Sequence, residues 1–117
     1  AVPISSYPAL IAYVQGELAR RDITAFLIGH AGDGNIHVVF PCAGDAEYGA
    51  AQALNADIVH KALELGGTAT GEHGVGLGKA RFMPIEHGAA LDVMRSVKRL
   101  FDPNGILNPG KIFPEGI

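Results

Sequence analysis

The chain has 117 residues, of which 48% are hydrophobic and 18% charged, and its formal net charge is -3. This composition is typical of one globular domain and excludes a disordered chain. The negative charge gives no general attraction to nucleic acid or to an anionic membrane, and the lone cysteine, Cys42, excludes an internal disulfide.

The first half of the chain predicts one helix and three strands. The first strand is an edge strand, because Pro3 cannot donate a hydrogen bond to a ladder. The helix begins at a serine followed by a proline in its first turn, and the β-branched run after it predicts a buried strand. In chain order, these elements are a strand at 2–4, a helix from 5–8 to Arg21 and Asp22, a strand at 23–28, and a strand at 35–40.

The second half predicts two helices around a short strand. The first helix begins at Asp45, closes at Gly66 and Gly67, and carries Leu54, Ile58, Ala62 and Leu65 inward. A strand at 68–70 and a loop precede the last helix, which begins at Pro84 and ends at 102–105. This helix is predicted to carry Leu91, Met94, Val97 and Phe101 on one face, and an extended tail begins at Asn108.

The order of these elements, β-α-β-β-α-β-α, predicts an α+β fold. It resembles a ferredoxin-like antiparallel sheet with helices packed on one face. We expect residues 1–117 to form a single domain. The chain opens on Ala-Val-Pro-Ile without an initiator methionine, which indicates a segment of a longer protein.

Two glycine-rich segments carry histidines and an acidic residue. The first is Gly-His-Ala-Gly-Asp-Gly-Asn-Ile-His at 29–37, and the second is Gly-Glu-His-Gly at 71–74. Imidazole and carboxylate groups bind divalent metals and transfer protons near neutral pH. Glycine is found where a chain turns tightly or where another group comes close. Histidine and glutamate side chains set among glycines therefore indicate part of an active site.

The first segment predicts a hairpin, because Asp33-Gly34 between two strands favours a two-residue turn. That turn places His30 opposite His37, close enough for the two imidazoles to share one metal. Glu72 ends a predicted strand and would be a third ligand, while His73 would face the other way as its strand neighbour. The alternative is that His30 and His37 are surface or hydrogen-bonding histidines.

Three other features give no firm assignment. The segment at 74–79 lacks the glycine and hydroxyl spacing of a phosphate-binding loop, so Lys79 is either a point charge for a carboxylate or phosphate, or a solvated lysine. His60 and His87 are predicted on helix surfaces and receive no role.

Three motifs resemble the C-terminal domain of FAD-linked oxidases in the vanillyl-alcohol oxidase superfamily, in the branch of D-lactate dehydrogenase (cytochrome) and glycolate oxidase subunits. The resemblance covers nearly the whole chain. The motifs are the segment at 29–37, Gly-Thr-Ala-Thr-Gly-Glu-His-Gly-Val-Gly-Leu-Gly-Lys at 67–79, and Phe-Asp-Pro-Asn-Gly-Ile-Leu-Asn-Pro-Gly-Lys at 101–111.

This resemblance implies the oxidation of a D-2-hydroxy acid to a 2-oxo acid, with hydride transfer to FAD. It implies that His30, His37 and Glu72 hold a divalent metal, zinc or manganese, and that His73 is the base for the hydroxyl proton. It also implies that Asn108 approaches the flavin ring.

The resemblance further implies partners outside this chain. FAD is bound mainly by an N-terminal domain, so this chain alone should neither hold FAD firmly nor turn over substrate. The electron acceptor would be a protein or a quinone, a homo-oligomer is left open, and the expected location is cytoplasmic or peripheral to the inner membrane. A module that binds metal or mediates oligomerisation without catalysis is the alternative function.

Overall fold

The computed structural model describes residues 1–113, which divide into two compact units. The first unit is Ala1–Gly71, and the second begins at Glu72. Within the described residues, no helix is both long and apolar enough to cross a membrane. The prediction of a single domain stays a prediction.

The first unit consists of a β-hairpin and two long helices. In chain order, its elements are α1 (Tyr7–Arg21), β1 (Phe26–His30), β2 (Asn35–Val39) and α2 (Asp45–Glu64), with short 3-10 turns at Ile4–Ser6 and Ala31–Asp33. The two strands form an antiparallel sheet. The predicted α+β class with an antiparallel sheet is therefore confirmed.

The core of this unit lies against one face of the hairpin. Apolar side chains at helical spacing on both helices are buried together, as their sequence pattern predicts. The strand residues Leu27, Ile36 and Val38 pack against them from the sheet. The buried members of the core are Val2, Leu10, Val14, Leu54, Ile58 and Ala62.

The first predicted strand of the hairpin differs from the observed one. It was expected at 23–28 and buried throughout, whereas β1 is Phe26–His30 and leaves Phe26 and Ile28 each 60% exposed. Successive strand residues point to opposite faces, so only Leu27 between them turns toward the core. A β-branched sequence run therefore does not establish burial on both faces.

The predicted outer strands at 2–4 and 68–70 are not strands in the structure, because Ile4 begins a 3-10 turn and Ala69 lies in a bend. Ala1 and Thr68 exchange two backbone hydrogen bonds, and the N–H of Val2 donates to the carbonyl of Gly34. The ladder does not continue, because Pro3 lacks an N–H and the N–H of Thr70 donates to the side chain of Thr68.

The second unit contains α3 (Met83–His87) and α4 (Ala90–Phe101), where one helix was predicted. Gly88 divides them, because its φ of 50° and ψ of -129° are not helical. The buried side of α4 carries Leu91, which packs with Met83 and Phe113. Of the other residues predicted on the same face as Leu91, Met94 packs against this cluster, whereas Val97 and Phe101 are exposed.

Candidate metal centre

The hairpin places both of its histidines on the same sheet face, although in a different register from the predicted one. His30 lies opposite Asn35, and Ile28 lies opposite His37. The chain turns through four residues, a 3-10 turn at Ala31–Asp33 followed by Gly34, rather than through Asp33-Gly34 alone. The register therefore shifts by two residues, and a shift of two keeps the side chains on the same face.

Gly34 explains why the longer turn forms. Its φ is +66°, and a Cβ atom at this position would lie 1.9 Å from the carbonyl oxygen of Val2. The N-terminal segment therefore crosses the turn where only glycine leaves room.

The two imidazoles meet as diagonal neighbours across the strands. Their ring centroids are 5.7 Å apart, and the rings are nearly perpendicular at 89°. Diagonal residues are within reach of long side chains. The expected proximity of His30 and His37 is thus present, although they are not direct cross-strand partners.

Glu72 follows Gly71 directly and completes the set of potential ligands. One ligand atom from each of His30, His37 and Glu72 lies within 4.8 Å of the other two. Two ligands of one zinc ion are at most about 4.2 Å apart, twice a bond of about 2.1 Å, so small side-chain movements suffice. Two imidazoles and a carboxylate are donors that suit zinc or manganese, and the residues present fit a divalent metal.

Glu72 and His73 do not point in opposite directions, as strand neighbours would. These residues lie in a turn region, and Nε2 of His73 is 3.2 Å from Oε1 of Glu72. The prediction of opposite faces is wrong because it assumed that the strand at 68–70 continued through them. The side chain of His73 is 73% exposed.

Asn35 is a residue of this site that the sequence analysis did not single out. It is opposite His30 and two residues before His37, so its side chain is on the face that carries both imidazoles. It is only 6% exposed. The sequence held the signal, a polar residue alternating with His37 within the motif at 29–37.

The other candidate residues lie in the second unit. Asn108 is exposed, has a φ of +47°, and accepts a hydrogen bond from Lys111 at 3.3 Å. Burial lowers the pKa of Lys79, and the nearby charge of Arg81 lowers it further. Lys79 is half-buried, and its predicted alternatives remain open.

The segment that leads to Asn108 is held by a buried carboxylate. Asp102 accepts hydrogen bonds from the backbone N–H groups of Ile106 at 3.0 Å and Leu107 at 2.9 Å, and from the ammonium of Lys98. The hydrogen bond from Lys98 is the main cause that lowers the pKa of Asp102. The tail motif therefore has a fixed start immediately before Asn108.

Comparison with known proteins identifies the same family as the motifs do. The family model for FAD linked oxidases, C-terminal domain, matches residues 1–112. The chain is 42% identical to a mitochondrial D-lactate dehydrogenase [cytochrome] of Arabidopsis thaliana over 97% of its own length and 20% of the relative. It is 41% identical to glycolate oxidase subunit GlcD of Bacillus subtilis, over 96% of the chain and 24% of that relative.

A third relative is D-lactate dehydrogenase of Anaerostipes hadrus, at 40% identity over 95% of this chain and 24% of the relative. The chain thus spans about a fifth to a quarter of the length of these relatives.

Proposed function

We propose that this chain, which belongs to the family of C-terminal domains of FAD linked oxidases, binds the substrate and a metal. The whole enzyme would be a flavin-dependent D-2-hydroxy-acid dehydrogenase. The observation that carries the proposal is the approach of His30, His37 and Glu72 to one another. The names of two relatives, a D-lactate dehydrogenase and a glycolate oxidase subunit, support a small 2-hydroxy acid as the substrate class.

The three ligands would hold zinc or manganese, which when bound supplies Lewis-acid polarisation of the hydroxyl and carboxylate oxygens of the substrate. FAD, bound mainly outside this chain, would supply the hydride acceptor. The ligands themselves fix where a hydroxy acid binds, because two are on the hairpin and the third is bonded to Gly71 beside it.

His73 would take the hydroxyl proton, and its contact with Glu72 indicates which nitrogen does so. A carboxylate only accepts hydrogen bonds, so Nε2 of His73 must donate to Oε1 of Glu72. In the neutral imidazole the other nitrogen, Nδ1, then carries the lone pair. We therefore assign Nδ1 as the proton acceptor, on a side chain exposed enough to reach a substrate.

Asn108 would approach the flavin ring from the second unit. Its amide is exposed, and its Oδ1 already accepts a hydrogen bond from Lys111, which leaves the amide N–H₂ as a donor for a ring heteroatom. The hydrogen bonds of Asp102 to the preceding turn would keep this amide in place.

The remaining partners belong to the same proposal. They are a FAD-binding domain of the same protein and an electron acceptor that is a protein or a quinone. The proposed location is cytoplasmic or peripheral to the inner membrane. A homo-oligomer stays open.

The ligand assignment is tested by calorimetric titration of the full chain with zinc and manganese. We expect His30→Ala and His37→Ala each to weaken metal affinity at least about tenfold, because each removes one of three ligands. His60→Ala, an exposed histidine of α2, is the matched control and should bind as the wild type does. Unchanged affinity in both hairpin variants would show that the ligands are wrongly assigned.

The role of His73 is tested on the chain joined to its FAD-binding domain. Loss of a general base lowers turnover by about 10²–10⁴-fold, so we expect His73→Ala to lose activity on that scale while it still binds metal. His87→Ala is the control, because His87 has no proposed role. Full turnover by the His73 variant would exclude it as the base.

A non-catalytic module that mediates oligomerisation is the second candidate. It is favoured by the exposed apolar side chains Phe26, Ile28 and Val39 on the outer face of the hairpin. Metal-dependent turnover of a D-2-hydroxy acid by the joined protein would exclude this alternative.

A further inference from the structure

The amide of Asn35 is a buried donor for which the described residues provide no acceptor. Only 6% of the residue is exposed, and no hydrogen-bond partner for its Nδ2 atom lies within residues 1–113. Leaving a buried donor unpaired is destabilising, so such groups in native proteins call for an explanation.

The same amide lies directly against Gly71, the residue before Glu72. A Cβ atom added to Gly71 would be 2.6 Å from Oδ1 and 3.3 Å from Cγ of Asn35. No heavier residue fits here without moving the amide, and the φ of +57° at Gly71 also disfavours a side chain. Asn35 and Gly71 are therefore packed as a pair.

This packing connects the hairpin to the third ligand. Asn35 is on the sheet face that carries His30 and His37, and Gly71 is bonded to Glu72. The amide thus determines where the Gly71–Glu72 peptide begins relative to the two imidazoles. Groups that orient metal ligands from behind commonly change metal affinity by about 10- to 100-fold when they are removed.

We propose that Asn35 is a positioning residue of the metal centre. Its buried amide holds Gly71 in place and thereby directs the Glu72 carboxylate toward His30 and His37. With the metal bound, the unpaired Nδ2–H group would be available as a donor to a carboxylate oxygen of Glu72. This inference rests on the proposed metal site and assigns no contact of Asn35 with substrate.

The test separates positioning from simple packing. Loss of packing lowers the melting temperature of the metal-free chain, whereas loss of positioning lowers the affinity for zinc. Asn35→Leu keeps the approximate size and removes the unpaired donor, so the metal-free full chain should melt at the wild-type temperature or above it. Its affinity for zinc, measured by titration calorimetry, should fall about tenfold or more. Asn104→Leu, which changes an exposed asparagine, is the control and should alter neither quantity.

The reference for this test is His30→Ala, measured in parallel. If His30→Ala weakens zinc binding and Asn35→Leu does not, the positioning role is overturned and the metal site stands. If His30→Ala also binds zinc as the wild type does, the site itself is wrong and both proposals fail. A loss of affinity with an unchanged melting temperature supports the proposal.

A second pair of variants keeps the proposal testable if Asn35→Leu does not fold. Gly71→Ala should weaken zinc binding, because its methyl group displaces the Asn35 amide. In an Asn35→Ala background the methyl group has room, so the same substitution should cost a smaller factor in affinity. If Gly71→Ala reduced zinc affinity by the same factor in both backgrounds, the contact between Asn35 and Gly71 would have no effect on the position of Glu72. That result would overturn the proposal.

Discussion

Asn35 and Asp102, the buried polar residues that the described part of the chain contains, differ in how their polar atoms are satisfied. Asp102 accepts hydrogen bonds from Lys98 and from two backbone N–H groups, so its carboxylate has the partners that a buried charge requires. The Nδ2 atom of Asn35 has none among the described residues. We therefore interpret Asp102 as structural, and Asn35 as part of the site.

The buried carboxylate predicts a pH dependence of stability. The pKa of Asp102 is lowered in the folded protein, from 3.8, chiefly by the hydrogen bond from Lys98. Its stabilising contribution is therefore complete above the unfolded-state pKa near 3.8 and is lost as the pH falls through the folded pKa. We expect the melting temperature of Asp102→Asn to be lower than the wild-type value at neutral pH, with the difference shrinking below pH 4.

Melting curves from pH 7 to pH 2 measure this difference. Glu17, whose pKa is lowered to about 2 chiefly by a hydrogen bond from Arg20, contributes the same slope to both proteins and cancels in the comparison. Asp33→Asn, at an exposed aspartate, is the control and should lack the effect. A constant gap between Asp102→Asn and the wild type across this range would contradict the prediction.

At the scale of elements, the helices were the more predictable part of the fold. The observed α1 and α2 match the predicted limits near Asp22 and Asp45, because capping and a 3.6-residue period are local signals. The strands depended on partners far along the chain. Residues 68–70 were predicted to be a strand, but they lie beside Ala1, and Thr68 and Ala1 exchange a pair of backbone hydrogen bonds without forming a strand.

The structure brings His30, His37 and Glu72 together, and their role as metal ligands stays a prediction. The predicted pairing of His30 with His37 across the strands is wrong. Alternate residues of a strand share one face of the sheet, so the motif at 29–37 determines which side chains lie on the face of His30 and His37. A register shift of two residues leaves those side chains on the same face. The register itself depends on the turn, and Gly34 accommodates Val2 rather than a two-residue hairpin loop. Alternation within the motif could have placed Asn35 on the face of the histidines, but its burial against Gly71 is a tertiary contact that the sequence does not reveal.

The core between α2 and the hairpin predicts how the free energy of unfolding responds to the loss of an isoleucine side chain. Ile58 of α2 is 7% exposed within the core, whereas Ile4 is 62% exposed. We expect Ile58→Ala to lower the free energy of unfolding by about 2–5 kcal/mol, since it removes buried methyl groups and leaves a cavity. Ile4→Ala removes the same atoms from a position in contact with water and should change it by about 0.5 kcal/mol or less.

Urea denaturation of the two isoleucine variants provides the measurement, with each slope compared with that of the wild type. Similar losses for Ile58→Ala and Ile4→Ala would mean that the core does not lie where α2 meets the hairpin.

At the scale of the whole molecule, the proposed function makes this chain one part of a larger reaction centre. The chain spans 20% to 24% of the relatives described above, and the proposed enzyme would bind FAD mainly outside it. What the chain itself provides is a hairpin with two imidazoles, a carboxylate near them, and a tail motif with an exposed amide. In the proposed function these groups would bind and orient the substrate, and the oxidation would require the flavin as well.

Helices α2 and α4 differ in how many of their side chains are buried, and this predicts a difference in local stability. Helix α2 buries Ala51, Leu54, Ile58, Val59 and Ala62, whereas the buried residue of α4 is Leu91. Helix α4 also leaves Leu100 and Phe101 exposed. Elements with few buried apolar contacts open at lower free energy, so we expect the amides of α4 to exchange faster than those of α2.

Hydrogen–deuterium exchange with mass spectrometry on the full chain at neutral pH measures this difference, after correction for intrinsic exchange rates. We expect protection factors in α2 to exceed those in α4 by about tenfold or more, which corresponds to about 1.4 kcal/mol of opening free energy. Helix α1, which packs in the same core as α2, is the internal control and should exchange as slowly as α2. Equal protection of α2 and α4 would show that α4 is as stable as α2, which is the opposite of what their buried side chains predict.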